Sequence, residues 1–216
     1  MAKTERAVVV GAGGHASVIV DVLEEMGNVE VVGFVSVGQN DTLYNYPRLG
    51  GDEALPSIYQ SGVRSALLAV GDNRRRASLM NVLLRCGFSL MNAISPAAWI
   101  SRHVAIGKGI AILPGAVVNA RSTLGDAAIV NTNASVDHDC VLGRYVHIGP
   151  GVSIAGGVRL GEGVLLGTGS SVIPQVSIAD WTVVGAGATV TRDLPANVLA
   201  VGVPAAVSKH IEWSER

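Results

Sequence analysis

The sequence predicts a small α/β domain followed by a long parallel β-helix. Strand and helix patterns alternate over residues 1–93, whereas from residue 94 an aliphatic side chain recurs at every sixth position. The 216 residues include 27 glycines, and aromatic residues make up only 4%. Glycine usage is well above the roughly 7% average, which favours narrow, repetitive packing. We therefore expect three segments, which are residues 1–93, 94–195 and a closing segment 196–216.

Composition excludes several classes of function. The net charge is −1 and charged residues make up 15%, which does not resemble the basic footprint of a nucleic-acid-binding protein. No apolar run approaches the roughly 18 residues that span a bilayer. The first apolar stretch, residues 7–10, is too short for a signal-peptide core. With two cysteines and no secretory signal, we expect a cytoplasmic protein without a disulfide and without membrane insertion.

The first segment has the alternation of a small parallel sheet covered by helices. Buried-strand patterns lie at residues 7–10, 29–37, 66–70 and 88–91, and helical spacing lies at 17–26 and 74–85. A glycine loop, GAGGHA at residues 11–16, follows the first strand and opens the first helix, which aims backbone N–H groups at a phosphate. Ala16 replaces the third glycine of a dinucleotide fingerprint, and no acid ends the second strand near residues 34–37. The pattern therefore predicts a Rossmann-like domain with a phosphate-binding loop, and it argues against NAD as the ligand.

The second segment keeps a six-residue period without a slip over seventeen positions, a parallel β-helix signature. The fourth residue after each aliphatic is mostly small or β-branched and is expected to point inward. Glycines that directly follow the aliphatic, such as Gly107 and Gly125, are expected to help turn the corners with positive φ. The aliphatic positions are Ile94, Ile100, Ile106, Ile112, Val118, Leu124, Val130, Val136, Leu142, Ile148, Ile154, Leu160, Leu166, Val172, Ile178, Val184 and Val190.

Two histidines project outward from this prism within "ASVDHDCVLGRYVHIGPG", residues 134–151. His138 stands between Asp137 and Asp139, carboxylates that can hold an imidazole tautomer and raise its basicity. A solvated surface histidine is the plain alternative. Cys140 occupies the small inward slot, so we interpret it as a core thiol and not as a nucleophile.

Both halves together resemble a known family. "VGAGATVTRDLPANVLAVGVPAAVSK" at residues 184–209 is similar to the closing stretch of the hexapeptide acyltransferase superfamily, whose β-helix is left-handed. "VVVGAGGHASVIVDVLEEMG" in the first segment narrows the resemblance to acetyltransferases of bacterial amino sugars. These include sialic-acid O-acetyltransferases and the bacillosamine- or perosamine-type enzymes, which acetylate nucleotide-linked 4-amino-4,6-dideoxy sugars.

The resemblance implies roles for individual residues. His138 matches the family's catalytic base, and Asp139 matches the acid that assists it. His147 matches a histidine that contacts acetyl-CoA. Further acetyl-CoA contacts are implied for Gly167, Thr168, Gly185 and Ala186. The nucleotide diphosphate of the sugar is implied to bind at Gly13, Gly14, His15 and Gly71, with Ser36 at the end of the second strand.

The resemblance implies acetyl transfer from acetyl-CoA to the sugar 4-amino group, for surface-glycan synthesis, in a homotrimer with active sites between subunits. UDP-specific relatives show an aspartate pair where this chain has Ser36 and its neighbours, so a GDP-linked and a UDP-linked sugar both stay open. O-acetylation of a sialic-acid-type sugar and a non-catalytic nucleotide-sugar-binding solenoid are the alternatives. His103, His138 and His147 occupy three different places in the hexad, so no metal is expected.

Overall fold

The computed structural model describes residues 4–38 and 41–212, so residues 213–216 of the predicted closing segment lie outside it. Two compact units divide the chain. One comprises residues 1–96 with 108–111, and the other comprises residues 97–107 with 112–216. The boundaries that we expect after residues 93 and 195 stay predictions.

The first unit is a five-stranded parallel sheet with the order β3-β2-β1-β4-β5. The predicted strands and helices are confirmed with small shifts at their ends, while β3 and α2 were not predicted. In chain order the elements are β1 (Glu5–Val10), α1 (Gly14–Met26), β2 (Val29–Val35), β3 (Arg48–Gly50), α2 (Leu55–Gln60), β4 (Ser65–Leu68), α3 (Asn73–Cys86) and β5 (Ser89–Leu90).

The central strand explains why this unit folds as it does. All four residues from Ala7 to Val10 are at most 1% exposed, because β1 lies between β2 and β4 and is covered on both faces. Helix α1 buries one face, with Ile19 and Leu23 at helical spacing. Among residues 4–38 and 41–212, no helix is long and apolar enough to cross a membrane.

The second segment forms the left-handed β-helix of two-residue strands that the hexads predict. The structure arranges these strands in three parallel sheets, which we call the first face (eight strands), the second face (six) and the third face (five). They are β6 (Ala93–Ile94), β7 (Trp99–Ile100), β8 (Ala105–Ile106), β9 (Ala111–Ile112), β10 (Val117–Val118), β11 (Thr123–Leu124), β12 (Ile129–Val130), β13 (Ser135–Val136), β14 (Val141–Leu142), β15 (His147–Ile148), β16 (Ser153–Ile154), β17 (Arg159–Leu160), β18 (Leu165–Leu166), β19 (Ser171–Val172), β20 (Ser177–Ile178), β21 (Val183–Val184) and β22 (Thr189–Val190), closed by β23 (Val198–Val201) and antiparallel β24 (Ala206–His210).

One coil of the β-helix contains eighteen residues. Val118 pairs with Val136, which pairs with Ile154 one coil further on. Every key aliphatic from Ile112 to Val190 is at most 3% exposed, which confirms the predicted inward row. A residue on one coil therefore has its nearest neighbour on the next coil eighteen positions away.

The expectation for the corner glycines was wrong. The left-handed residue comes three positions after the aliphatic, as in Gly151 (φ +65°) and Asp139 (φ +59°). Gly125, which directly follows Leu124, has no positive φ. A Cβ at Gly125 would lie 2.6 Å from the carbonyl carbon of Gly143 on the next coil. Glycine is needed there because the coils approach each other closely.

Candidate active site

The predicted residues of the β-helix lie at or beside two of its three corners. The histidine corner joins the second and third faces through residues 102–103, 120–121, 138–139, 156–157 and 174–175. The smooth corner joins the first and second faces through residues 114–115, 132–133, 150–151, 168–169 and 186–187. Each pair forms the same two-residue turn between short strands.

His138 and Asp139 are paired at the histidine corner. The imidazole Nδ1 lies 2.7 Å from Asp139 Oδ2, and the His138 side chain is 55% exposed. Because the carboxylate accepts, Nδ1 carries the proton and the lone pair is on Nε2. The geometry suits a base at Nε2 that Asp139 orients.

Asp137 has a different role, because its side chain stabilises the turn itself. Its Oδ1 accepts from the backbone N–H of His138 at 2.8 Å and from Asn119 Nδ2 at 3.0 Å. These two hydrogen bonds, the backbone one first, lower the pKa of Asp137. Its Oδ2 lies 3.9 Å from Nε2 of His138, so a second carboxylate stands near the imidazole.

Arg121 contacts the same dyad and was not predicted from the sequence. Its Nε and Nη2 donate to Asp139 Oδ1 and Oδ2 at 2.6 and 2.7 Å. The guanidinium, and after it the bond from His138, hold the pKa of Asp139 well below its usual range. Asp139 therefore stays ionised throughout the neutral range. Arg121 precedes Asp139 by one coil, so the eighteen-residue spacing was the signal that could have found it.

Gly156, one coil after His138, lies against the imidazole ring. A Cβ at this position would lie 2.6 Å from Cε1 and 2.8 Å from Nε2 of His138. No ordinary side-chain contact is that short, so an alanine here would displace the ring. Its backbone is not in the left-handed region, so packing alone requires the glycine.

The DHDC turn is fixed from inside the prism by a buried hydroxyl. Ser122 donates to the carbonyl of Asp137 at 2.7 Å and accepts from the backbone N–H of Cys140 at 3.1 Å. The Cys140 thiol is fully buried and lies 3.3 Å from the carbonyl of Ala155. Burial raises the pKa of this thiol, which fits a core residue.

The residues predicted to bind acetyl-CoA lie at or beside the smooth corner. Gly167 and Thr168 belong to one coil and Gly185 and Ala186 to the next. A Cβ at Gly167 would lie 2.6 Å from the backbone nitrogen of Ala186, so close coil stacking already requires this glycine. His147 projects from β15 on the first face, just before the smooth corner, and its Nε2 lies 3.1 Å from Asn131 Nδ2. Their contacts with acetyl-CoA stay predictions.

The two corners are separated by the whole second face. A face of six residues spans roughly 20 Å at about 3.3 Å per residue. The structure therefore does not bring His138 and His147 together within one chain. In the described residues, no group of three or more histidine, cysteine, aspartate or glutamate side chains is placed to hold a metal ion.

The predicted nucleotide-binding residues meet at the carboxyl edge of the sheet in the first unit. Gly13 caps α1 and Gly14 begins it, directly after β1, while Gly71 follows β4. The sheet order changes direction between β1 and β4, the place where such sheets bind ligands. The two loops touch: a Cβ at Gly11, where φ is +124°, would lie 2.5 Å from the carbonyl oxygen of Ala69.

Other polar groups complete this edge. His15 is half-buried, with its Nε2 shielded from solvent. Ser36 is 7% exposed, and its hydroxyl bonds the carboxylate of Asp41 and accepts from the N–H of Gly38 at 3.1 Å. An acid thus reaches the end of β2 from a position the sequence pattern did not indicate. Fully buried Arg76 donates to the carbonyl of Gly71 at 3.0 Å and fixes that loop.

Comparisons with known proteins agree with this architecture. Residues 6–83 match the model described as PglD N-terminal domain, and residues 157–192 match the model described as bacterial transferase hexapeptide (six repeats). No curated protein sequence matches the chain at a significant level.

Solved structures match over nearly the whole chain. A mutant of perosamine N-acetyltransferase from Caulobacter crescentus, in complex with CoA and GDP-perosamine, is 44% identical, with 94% of this chain and 96% of that chain covered and a TM-score of 0.92. The acetyltransferase domain of PglB from Neisseria gonorrhoeae, in complex with acetyl coenzyme A, is 34% identical, with 94% and 99% covered and a TM-score of 0.89. The chain therefore belongs to the hexapeptide-repeat acetyltransferase family that contains these two enzymes.

Proposed function

We propose that this protein transfers the acetyl group of acetyl-CoA to the 4-amino group of a GDP-linked 4-amino-4,6-dideoxy sugar, in the cytoplasm and for surface-glycan synthesis. The observation that carries the proposal is the His138–Asp139 dyad, with its base nitrogen at an exposed corner of the β-helix. The likeness to an acetyltransferase bound to CoA and GDP-perosamine supports both substrates.

The chemistry follows from the tautomer of His138. The sugar amine attacks the thioester carbonyl as a neutral amine, forming the C–N bond, and His138 Nε2 takes the proton that the nitrogen sheds. Asp139, accepting at Nδ1, stabilises the imidazolium. The C–S bond then breaks, and the proton passes from the imidazolium to the departing thiolate of coenzyme A. A backbone N–H beside the acetyl oxygen would stabilise the oxyanion.

The site is proposed to form between subunits of a homotrimer. The smooth corner, with Gly167, Thr168, Gly185 and Ala186, and His147 beside it would hold acetyl-CoA from one subunit. His138 would act from the histidine corner of the next subunit, because the second face separates the two corners within one chain. In a closed three-fold ring, each interface would join the smooth corner of one subunit to the histidine corner of its neighbour.

The sugar nucleotide is proposed to bind at the carboxyl edge of the first unit's sheet. Gly13, Gly14 and His15 at the start of α1, with Gly71, would contact the diphosphate through backbone N–H groups and the helix N-terminus. Ser36 and the carboxylate beside it lie at the end of β2, where the nucleoside would reach. A GDP-linked sugar is favoured because 44% identity joins this chain to an enzyme bound to GDP-perosamine.

The test is a free-thiol assay of the purified protein with acetyl-CoA and a panel of GDP- and UDP-linked 4-amino sugars. We expect thiol release with the GDP-linked amine and an N-acetylated product by mass spectrometry. A GDP-linked sugar with only hydroxyls is the matched control. Release from that hydroxyl sugar would favour O-acetylation, and no release from any sugar would favour a non-catalytic binding protein.

The shared site has its own test. His138→Ala abolishes the base, and Ala186→Trp blocks the smooth corner, so each variant alone is expected to be inactive. After the two are unfolded together and refolded as mixed trimers, about one quarter of the interfaces combine two intact corners and regain activity. A mixture as inactive as its parents, with trimers verified by light scattering, would contradict the shared site.

A further inference from the structure

Arg121 and His138 bind the same carboxylate group. The guanidinium makes two parallel bonds to Asp139, at 2.6 and 2.7 Å, and the imidazole Nδ1 bonds Oδ2 at 2.7 Å. Asp139 Oδ2 is therefore shared between a permanent cation and the proposed base.

We infer that Arg121 is a positioning residue for the proposed acetyl transfer: it orients the Asp139 carboxylate toward His138 and offsets part of its charge. The inference rests on the proposed function, and it assigns to this corner a third residue, one coil below the dyad. Arg121 touches neither substrate in this scheme, since it acts through Asp139.

Arg121 fixes the orientation of the Asp139 carboxylate. The side chain of Asp139 is 42% exposed, and the terminal torsion of an aspartate is otherwise broad. A planar fork with two donors fixes the plane of the carboxylate, which a single bond from the imidazole does not do. With the plane fixed, Oδ2 faces Nδ1, and the lone pair of His138 stays on Nε2, where a substrate amine can reach it.

Arg121 also balances the charge around the imidazolium that forms during transfer. Two carboxylates face the ring, Asp139 at Nδ1 and Asp137 at 3.9 Å from Nε2, while Asn119, Gly156 and the inward-facing thiol of Cys140 are neutral neighbours. Two unopposed carboxylates would hold the proton on the imidazole and slow its delivery to the thiolate. The guanidinium of Arg121 offsets one of them.

The backbone indicates that side chains are retained here at a cost. Arg121 and Asp139 adopt left-handed conformations, with φ +61° and +59°. At the matching position of the smooth corner, four of the five residues are Gly115, Gly151, Gly169 and Gly187. Glycine adopts this conformation without steric strain, whereas an L-residue with a Cβ does not.

The test compares Arg121→Met, which removes both the fork and the charge, with Arg121→Lys, which keeps only the charge. Arg102→Met is the matched control, because Arg102 is an exposed arginine at the same corner with no role in the site. We expect Arg121→Met to lower kcat roughly tenfold. This loss is smaller than the roughly 10²- to 10⁴-fold rate contribution of a general base, because the base itself remains. The KM values for both substrates should stay within about twofold.

The pH profile separates this role from a merely structural one. Loss of the guanidinium favours the imidazolium, so the acidic limb of kcat/KM should move to higher pH. Arg121→Lys should restore the position of the limb and only part of kcat. The ¹⁵N chemical shifts of the His138 ring should show a mixture of tautomers in Arg121→Met and one tautomer in the wild type.

Two outcomes overturn the inference: a kcat and a pH profile for Arg121→Met equal to those of Arg102→Met, or a unique Nδ1–H tautomer that survives the substitution. A wild-type protein that releases no thiol would instead refute the proposed function. In that case the ¹⁵N measurement still tests whether Arg121 orients the dyad.

Discussion

The histidine corner and the smooth corner are made by the same turn, yet they carry different side chains. The smooth corner contains proline, threonine, alanine, asparagine and glycine and no charged residue. The histidine corner contains Arg102, His103, Arg121, His138 and Asp139. The six-residue period fixes the inward positions and leaves the two corner positions free, so chemistry can be added to this scaffold without changing the core.

The difference also shows how the scaffold builds a site. Successive coils place residues eighteen positions apart in contact, so Asn119 and Arg121 stand directly below Asp137 and Asp139. The dyad is therefore supported by one coil below, and Gly156 leaves room for the ring on the coil above. The smooth corner carries small, uncharged side chains, which leave the room along it that the long arm of acetyl-CoA needs in the proposed site.

The largest expected effect tests whether the histidine corner performs the chemistry. His138→Ala should lower kcat roughly 10²- to 10⁴-fold, because no other group takes the proton of the attacking amine. Acetyl-CoA binding, measured by calorimetry, should stay within about twofold, since the smooth corner is unchanged. His103→Ala, at the same corner two coils earlier, is the control and should keep its activity. Near-normal turnover in His138→Ala would refute the assignment of the base.

A smaller effect separates packing from backbone conformation at two adjacent glycines. Gly156→Ala places a Cβ against the imidazole, and a shifted base should lower kcat roughly 10- to 100-fold, with little change in Tm. Gly157 has φ +72°, so Gly157→Ala should cost roughly 1 kcal/mol of stability and leave kcat within about threefold. Thermal unfolding and thiol-release kinetics of the pair measure both. The same loss of rate in both variants, or in neither, would contradict this division.

Sequence patterns predicted the parts of the molecule that repeat. The hexads predicted the inward row, which the structure confirms. The motif around His138 left Asp137 and Asp139 both open, and the family resemblance selected Asp139, which the structure pairs with His138. The roles of Arg121 and Gly156 were not predicted, because each contacts a residue one coil away. A local sequence motif does not reveal a contact between residues eighteen positions apart. A search at that spacing would have found the Arg121–Asp139 pair.

The first unit contains elements and a contact that the sequence did not predict. The three-residue edge strand β3 and the six-residue α2 are too short to establish a period. The Ser36 hydroxyl bonds the carboxylate of Asp41, a contact that depends on the fold and not on a sequence period. The end of β2 looked free of acids in the sequence because the carboxylate comes from five residues further along.

The smallest expected effect compares two buried serines that occupy the same hexad slot after the two corners. Ser122, after the histidine corner, is 1% exposed and makes two hydrogen bonds to the DHDC turn. Ser170, after the smooth corner, is fully buried, and its hydroxyl has no hydrogen-bond partner within the described part of the chain.

Ser122→Ala should therefore cost about 1–2 kcal/mol and lower kcat a few-fold, because a buried N–H and a carbonyl lose their partner. Ser170→Ala removes only an unsatisfied hydroxyl and should be neutral or stabilising by up to about 1 kcal/mol. Urea unfolding at one fixed protein concentration measures both, and an equal loss of stability in the two variants would show that the inner slot does not distinguish the corners.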